Sequence, residues 1–117
     1  MKYEEYNPKC SNCIIRTFMK LFDKDELLLQ EELIELANKM NESDYNNINA
    51  FEKYLENNNY EKIDMKDILV KDLDLNGKYA CFCYKDNWYH MIAIIDNIVY
   101  DKTPECLDMN VISLYRR

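Results

Sequence analysis

His90 is the only histidine in this 117-residue chain, and the stretch around it, Trp88 to Asp101, reads as a β-hairpin. Ile92 to Ile95 and Ile98 to Tyr100 are β-branched, small or aromatic residues flanking Asp96-Asn97, a pair that tolerates the positive φ of a tight two-residue turn. That turn sets the register: 95 opposite 98, 94 opposite 99, 93 opposite 100 and 92 opposite 101. Side chains alternate between the faces of a strand, so His90, Ile92 and Asp101 share one face. His90 and Asp101 become diagonal neighbours with Cα atoms on the order of 6–8 Å apart, within reach of an imidazole–carboxylate hydrogen bond. Asp96, nearer in sequence, is held in the turn, roughly 20 Å along the strand at about 3.3 Å per residue. A histidine oriented by an acid is half of a device for nucleophilic catalysis, and its other ring nitrogen needs a nucleophile whose proton it can take. Cys13 is that candidate. It is expected in the first turn of a helix, where unpaired N–H groups and the helix dipole favour a thiolate and lower the thiol pKa from about 8.5.

The elements that must bring these residues together are legible in the hydrophobic spacing. Ser11 or Asn12 suits an N-cap, and Ile14, Phe18, Leu21 and Phe22 form one apolar stripe over a helix from about Cys13 to Phe22. Asp25 caps a second helix reaching about Met40, with Leu28, Leu29, Leu33, Leu36 and Ala37 at helical spacing. A third runs from about Ile48 to Glu56 and stops at Asn57-Asn58-Asn59. The first ten residues read as an irregular arm with Tyr3 and Tyr6 as anchors, because Pro8 forbids an early helix. Tyr60 to Met65 suggests a short strand, Lys66 to Val70 a helical turn, and Asn76-Gly77 a turn. From Lys78 the period changes from 3.6 to 2. Tyr79, Cys81 and Cys83 alternate with Ala80, Phe82 and Tyr84, Lys85-Asp86-Asn87 turns the chain into the hairpin, and Met109 to Tyr115 makes a last strand. The expected architecture is a single α+β domain over residues 1–117, with N-terminal helices packed on a C-terminal antiparallel sheet of three to five strands.

Composition narrows the function classes. The formal net charge of −7 disfavours a phosphate backbone as ligand, since binding one requires a basic face that releases counterions. No apolar run is long enough for a membrane span. The opening M-K-Y-E-E-Y-N-P carries two acids where a signal peptide has its apolar core, so a cytoplasmic protein with no membrane partner is expected. The heavy use of Asn, Lys, Glu, Ile and Tyr looks like the bias of an AT-rich bacterial or phage genome. Without a secretory signal, five cysteines at 10, 13, 81, 83 and 106 read as thiols, ligands or a redox pair rather than a disulfide framework.

A cysteine opening the first helix, a histidine on a later strand and an acid on the next give the order Cys13, His90, Asp101. In this the chain resembles the papain-like cysteine peptidase superfamily. More narrowly it resembles small phage and Firmicute proteins that begin N-C-x-x-R, here Asn12-Cys13-Ile14-Ile15-Arg16, and end H-x-x-x-x-x-D/N-x-x-x-x-D, here His90 through Asp96 to Asp101. The resemblance spans nearly the whole chain and implies a papain-like fold. It also implies a cysteine-dependent acyl-transfer activity, as in a peptidase, deamidase or related hydrolase, on a protein or peptide amide. Cys13 would attack the carbonyl, His90 would carry the proton, and Asp101 would hold the imidazole tautomer. Papain-like folds also place a Gln about six residues before the cysteine to donate to the oxyanion; that position here is Asn7. An amine in place of water as acceptor gives a transferase with the same residues. No cofactor or metal is implied.

Other readings of the same residues stay open at this level. Cys13 reads equally as a small core residue, and Asp101 as a turn acid before Lys102-Thr103-Pro104. Trp88 and Tyr89, beside the histidine, line a substrate cleft or pack, with packing expected for one of the two. Arg16, one turn past Cys13, binds a substrate carboxylate or pairs with a local acid, the second being the simpler reading. Cys10-x-x-Cys13 with Cys81-x-Cys83 has the four thiolates of a zinc module but lacks knuckle glycines. A reversible Cys10–Cys13 disulfide would silence the nucleophile. A third class is a non-catalytic acidic interaction protein of a mobile element, an inhibitor that turns its tyrosine-rich negative surface to a basic host-protein partner.

Overall fold

The computed structural model describes residues 1–10 and 12–117. The chain runs β1 (Lys2–Glu5), α1 (Cys13–Phe22), α2 (Glu26–Lys39), α3 (Ile48–Asn57), β2 (Glu61–Asp64), β3 (Lys78–Lys85), β4 (Trp88–Ile95), β5 (Ile98–Asp101) and β6 (Asn110–Arg116). It is an α+β structure with the strands in one six-stranded mixed sheet, ordered β1-β5-β4-β3-β6-β2.

Each helix starts where the sequence supplies an acceptor for its first free N–H groups. Asn12 Oδ1 accepts from Ile15 N–H at 2.8 Å, Asp25 Oδ1 from Leu28 N–H at 2.8 Å, and Asn47 Oδ1 from Ala50 N–H at 2.9 Å. Ser11, the alternative cap for α1, lies outside the described residues. α1 ends at Asp23 in the left-handed region, φ 53°. The two hairpin turns behave as their sequences require: Asp86 and Asn87 have φ of 50° and 65°, and Asp96 and Asn97 the same pair of values. Asn and Asp adopt that region more readily than other non-glycine residues, and two positive φ angles in succession match the right-handed strand twist.

The sheet is buried on both sides. α1 and α3 stand against the face that carries Ala80, Met91, Ala93 and Tyr115, and α2 packs into the same core. Phe18 of α1 stacks on Phe51 and Tyr54 of α3 at centroid distances of 5.1 Å and 4.6 Å, which holds the helix bearing Cys13 in place. The opposite face, with Cys81, Cys83, Ile92, Ile94 and Val99, is closed by two 3-10 turns, Val70–Asp72 and Pro104–Asp108, through Val70, Cys106 and their neighbours. No helix among the described residues is long and apolar enough to cross a membrane.

Three expectations need correction. Residues 2–5 are a strand, not an irregular arm. They pair in parallel with β5 from Lys2–Ile98 to Glu5–Asp101, and the Tyr3 hydroxyl donates to the Asp101 carbonyl at 3.0 Å. A four-residue edge strand, K-Y-E-E, buries too little to leave a periodic signature, and its pairing comes from the far end of the chain. The sheet accordingly has six strands and is mixed rather than a C-terminal antiparallel unit. Finally, the helical turn expected over Lys66 to Val70 forms at Val70–Asp72. Leu69 is committed to a bridge with Asn110, and Asp67, at φ 58°, bends the chain just before it.

Candidate active site

The hairpin register is that expected from the turn as far as Ala93–Tyr100, and the ladder ends there. The expected pair 92–101 is not part of it; on the other edge of β5, Asp101 pairs with Glu5 of β1 and its carbonyl accepts from Tyr6 N–H at 2.8 Å. His90 and Asp101 belong by alternation to the face away from the helices, yet Arg16 of α1 approaches Asp101 Oδ1 to 3.3 Å.

His90 Nε2 lies 2.7 Å from Asp101 Oδ2, with both side chains buried. A short contact between a ring nitrogen and a buried carboxylate is a charge-assisted hydrogen bond. With Nε2 engaged, Nδ1 is the nitrogen left for Cys13. Cys13 is at the first position of α1, half-buried, with its sulfur 4.0 Å from Met91 Sδ on β4.

The electrostatics of the three groups are coupled. Burial alone would raise the Cys13 thiol, but its hydrogen bond with His90, the Met91 backbone and the charges of His90 and Arg16 outweigh burial and hold it below its ordinary value. Burial would lower His90, but the hydrogen bonds and charges of Asp101 and Cys13 raise it to about 9. Asp101 is held low despite its burial by the His90 hydrogen bond and charge, the Lys102 backbone N–H and the Arg16 charge. A lowered thiol beside a raised imidazole shifts the pair toward thiolate–imidazolium.

The other residues singled out from the sequence fall into distinct places. Trp88 stacks on the His90 ring at 4.9 Å and 26°, covering one face of the imidazole. Tyr89, on the other side of β4, stacks on Phe82 at 5.7 Å. With Phe82, Met91, Ile14 and Ile48 it walls a groove of about 400 Å³ that opens on Cys13. Both aromatics are exposed; Trp88 also lines a cavity with Arg16, His90 and Asp101. Asn7 is exposed and among the described residues has no hydrogen-bond partner. Arg16 pairs with a local acid, and the acid is Asp101. Helical spacing from Cys13 could have signalled that both side chains leave α1 on one side, but their shared target depended on the hairpin.

The four thiols of the zinc reading do not assemble. Cys10 and Cys13 pack against the helix-side core, while Cys81 and Cys83 are buried on the opposite face of the sheet. Among the described residues no group of three or more His, Cys, Asp or Glu side chains could hold a metal ion. The strand alternation expected for Cys81 and Cys83 is present, and apolar packing accounts for both.

Compared with models of protein families, with curated proteins and with solved structures, the chain matches none.

Proposed function

We propose that this protein is a papain-like cysteine enzyme of the cytoplasm that transfers an acyl group from a protein or peptide amide, with Cys13 as nucleophile, His90 as acid–base and Asp101 as the group that orients it. The observation that carries the reading is the buried 2.7 Å contact between His90 and Asp101, with a helix-start thiol lowered by that same imidazole. A cysteine that is merely packed has no reason to be paired with a charged ring, and thiols buried in apolar surroundings are raised instead, as Cys106 is here.

The Cys13 thiolate attacks the amide carbonyl, forming a C–S bond while the π electrons move to oxygen. Collapse of the tetrahedral intermediate breaks the C–N bond, and the His90 imidazolium gives its proton from Nδ1 to the leaving amine. The neutral imidazole then takes a proton from water, whose oxygen attacks the thioester and displaces the thiolate. Throughout, Asp101 holds Nε2–H, fixing the tautomer that presents Nδ1 to sulfur. The groove walled by Ile14, Phe82 and Tyr89 is where the acyl side of the substrate would rest.

Labelling with iodoacetamide from about pH 5 to about pH 9, read residue by residue by mass spectrometry, tests this. Cys13 is expected to react well below the range of a free thiol and to lose that reactivity in His90→Ala. Cysteines all reacting only near about pH 8.5 would defeat the proposal. Purification with a partner that is retained by Cys13→Ala and His90→Ala, with no thiol activation in the wild type, would favour the interaction protein instead.

A further inference from the structure

We propose that Arg16 is a positioning residue that makes the thiolate–imidazolium pair electrically affordable by neutralising Asp101. The inference goes beyond the triad but rests on the Cys13–His90 reading. Its starting point is geometric. The guanidinium and the Asp101 carboxylate are each more than nine-tenths buried, with Nη2 3.3 Å from Oδ1. The other carboxylate oxygen is taken by His90. The Arg16 approach is a charge contact rather than a directed bond, since Oδ1 accepts no hydrogen bond from a described residue. Arg16 leaves α1 three residues after Cys13, so one helix presents thiol and guanidinium to the same His–Asp pair.

Charge counting shows what the arrangement does. With Arg16 present, thiolate, imidazolium, carboxylate and guanidinium sum to zero. Without it, the neutral arrangement of the remaining three is a protonated thiol beside an imidazolium–carboxylate pair, and the thiolate state carries an uncompensated buried negative charge. Low-dielectric surroundings penalise net charge strongly, so removing Arg16 favours keeping the proton on sulfur. The imidazolium would then serve Asp101 alone. Other ionisable groups near the cluster do not replace this function. Lys102 and Glu105, exposed residues of opposite sign, flank the same cavity as Arg16 and Asp101. Tyr3 from β1 and Cys106 from the second 3-10 turn are both raised, and so are neutral around pH 7. Cys83 on β3 is likewise raised well above its ordinary value.

The test measures the pH at which Cys13 reaches half-maximal iodoacetamide reactivity in folded protein, for wild type, Arg16→Gln, Arg16→Met and Arg16→Lys. Both neutral variants should move that midpoint up by about one pH unit or more, and Arg16→Lys should stay near the wild type. Arg16→Met fills the space with an apolar chain and provides a folded neutral variant where Arg16→Gln is too unstable, since apolar replacements of buried ion pairs are often tolerated. In Arg16→Ala, free guanidinium at low millimolar concentration should bring the midpoint back down. A packing role alone would lower the melting temperature without moving the midpoint. A folded neutral variant whose midpoint equals the wild type overturns the inference while leaving the triad standing. A wild-type Cys13 with an ordinary midpoint sinks the underlying reading instead.

Discussion

Replacing Asp101 with Asn keeps the shape of the side chain and removes its charge, and the chain holds one histidine through which the effect can be read without assignment ambiguity. In the native site the His90 ring is raised from 6.5 to about 9. At about 1.4 kcal/mol per pKa unit, the anionic partners favour the imidazolium by about 3 kcal/mol net of the burial that opposes it. Of the two groups that hold the ring charged, Asp101 acts more strongly than Cys13. Loss of the carboxylate should therefore remove more than half of the rise and bring the ring to about 7.5 or below. The assay is an NMR titration of the ring Cε1–H. An unfolding curve would miss the effect for a definable reason. The raised His90 value contributes stability that is full below 6.5 and is lost as pH rises through about 9. The lowered Cys13 value contributes in the opposite sense, present above the free-thiol range and lost as pH falls through the folded value. A thiolate–imidazolium pair holds the same single proton as a free thiol beside a neutral ring, so the pH dependences of the two contributions oppose each other. A wild-type ring that titrates near 6.5, or an Asn variant indistinguishable from the wild type, would refute the reasoning.

Trp88, the only tryptophan in the chain, lies 4.9 Å from the His90 ring, and a charged imidazole quenches indole emission. Its fluorescence should rise as pH passes through about 9, and His90→Gln should abolish the transition; emission that ignores pH there would contradict the stacked, protonated ring. Asn12→Ala removes the 2.8 Å cap on Ile15 N–H and should cost about 1 kcal/mol in urea denaturation. It should also slow Cys13 labelling, because the cap fixes the turn that carries the thiol; an unchanged rate would show that the α1 packing suffices.

Much of the site was legible from residue types and spacing because its parts are local. The Asp96-Asn97 turn dictates which strand residues face one another, and from that the choice of Asp101 over Asp96 as the partner of His90 followed. The Asn12 cap and the stripe Ile14-Phe18-Leu21 place Cys13 at the head of a helix. Each of these signals spans fewer than about fifteen residues, the range over which hydrogen-bond register and helical period act.

What remained hidden required contact between distant parts of the chain. β1 has no pattern of its own and becomes a strand only because β5 offers it an edge. The β4–β5 ladder stops at Ala93–Tyr100, so the expected 92–101 pair lies outside it. Arg16 reaches Asp101, a pairing that neither residue's neighbours announce. The amino-acid sequence by itself determined which groups could do chemistry and which local elements carry them. Only the tertiary structure decided that α1 and the hairpin bring Arg16, His90 and Asp101 together, because burial of charge is a collective property. A carboxylate, an imidazole and a thiol acquire their protonation states from one another beside a fixed guanidinium charge, and that happens only once folding has brought the four groups together.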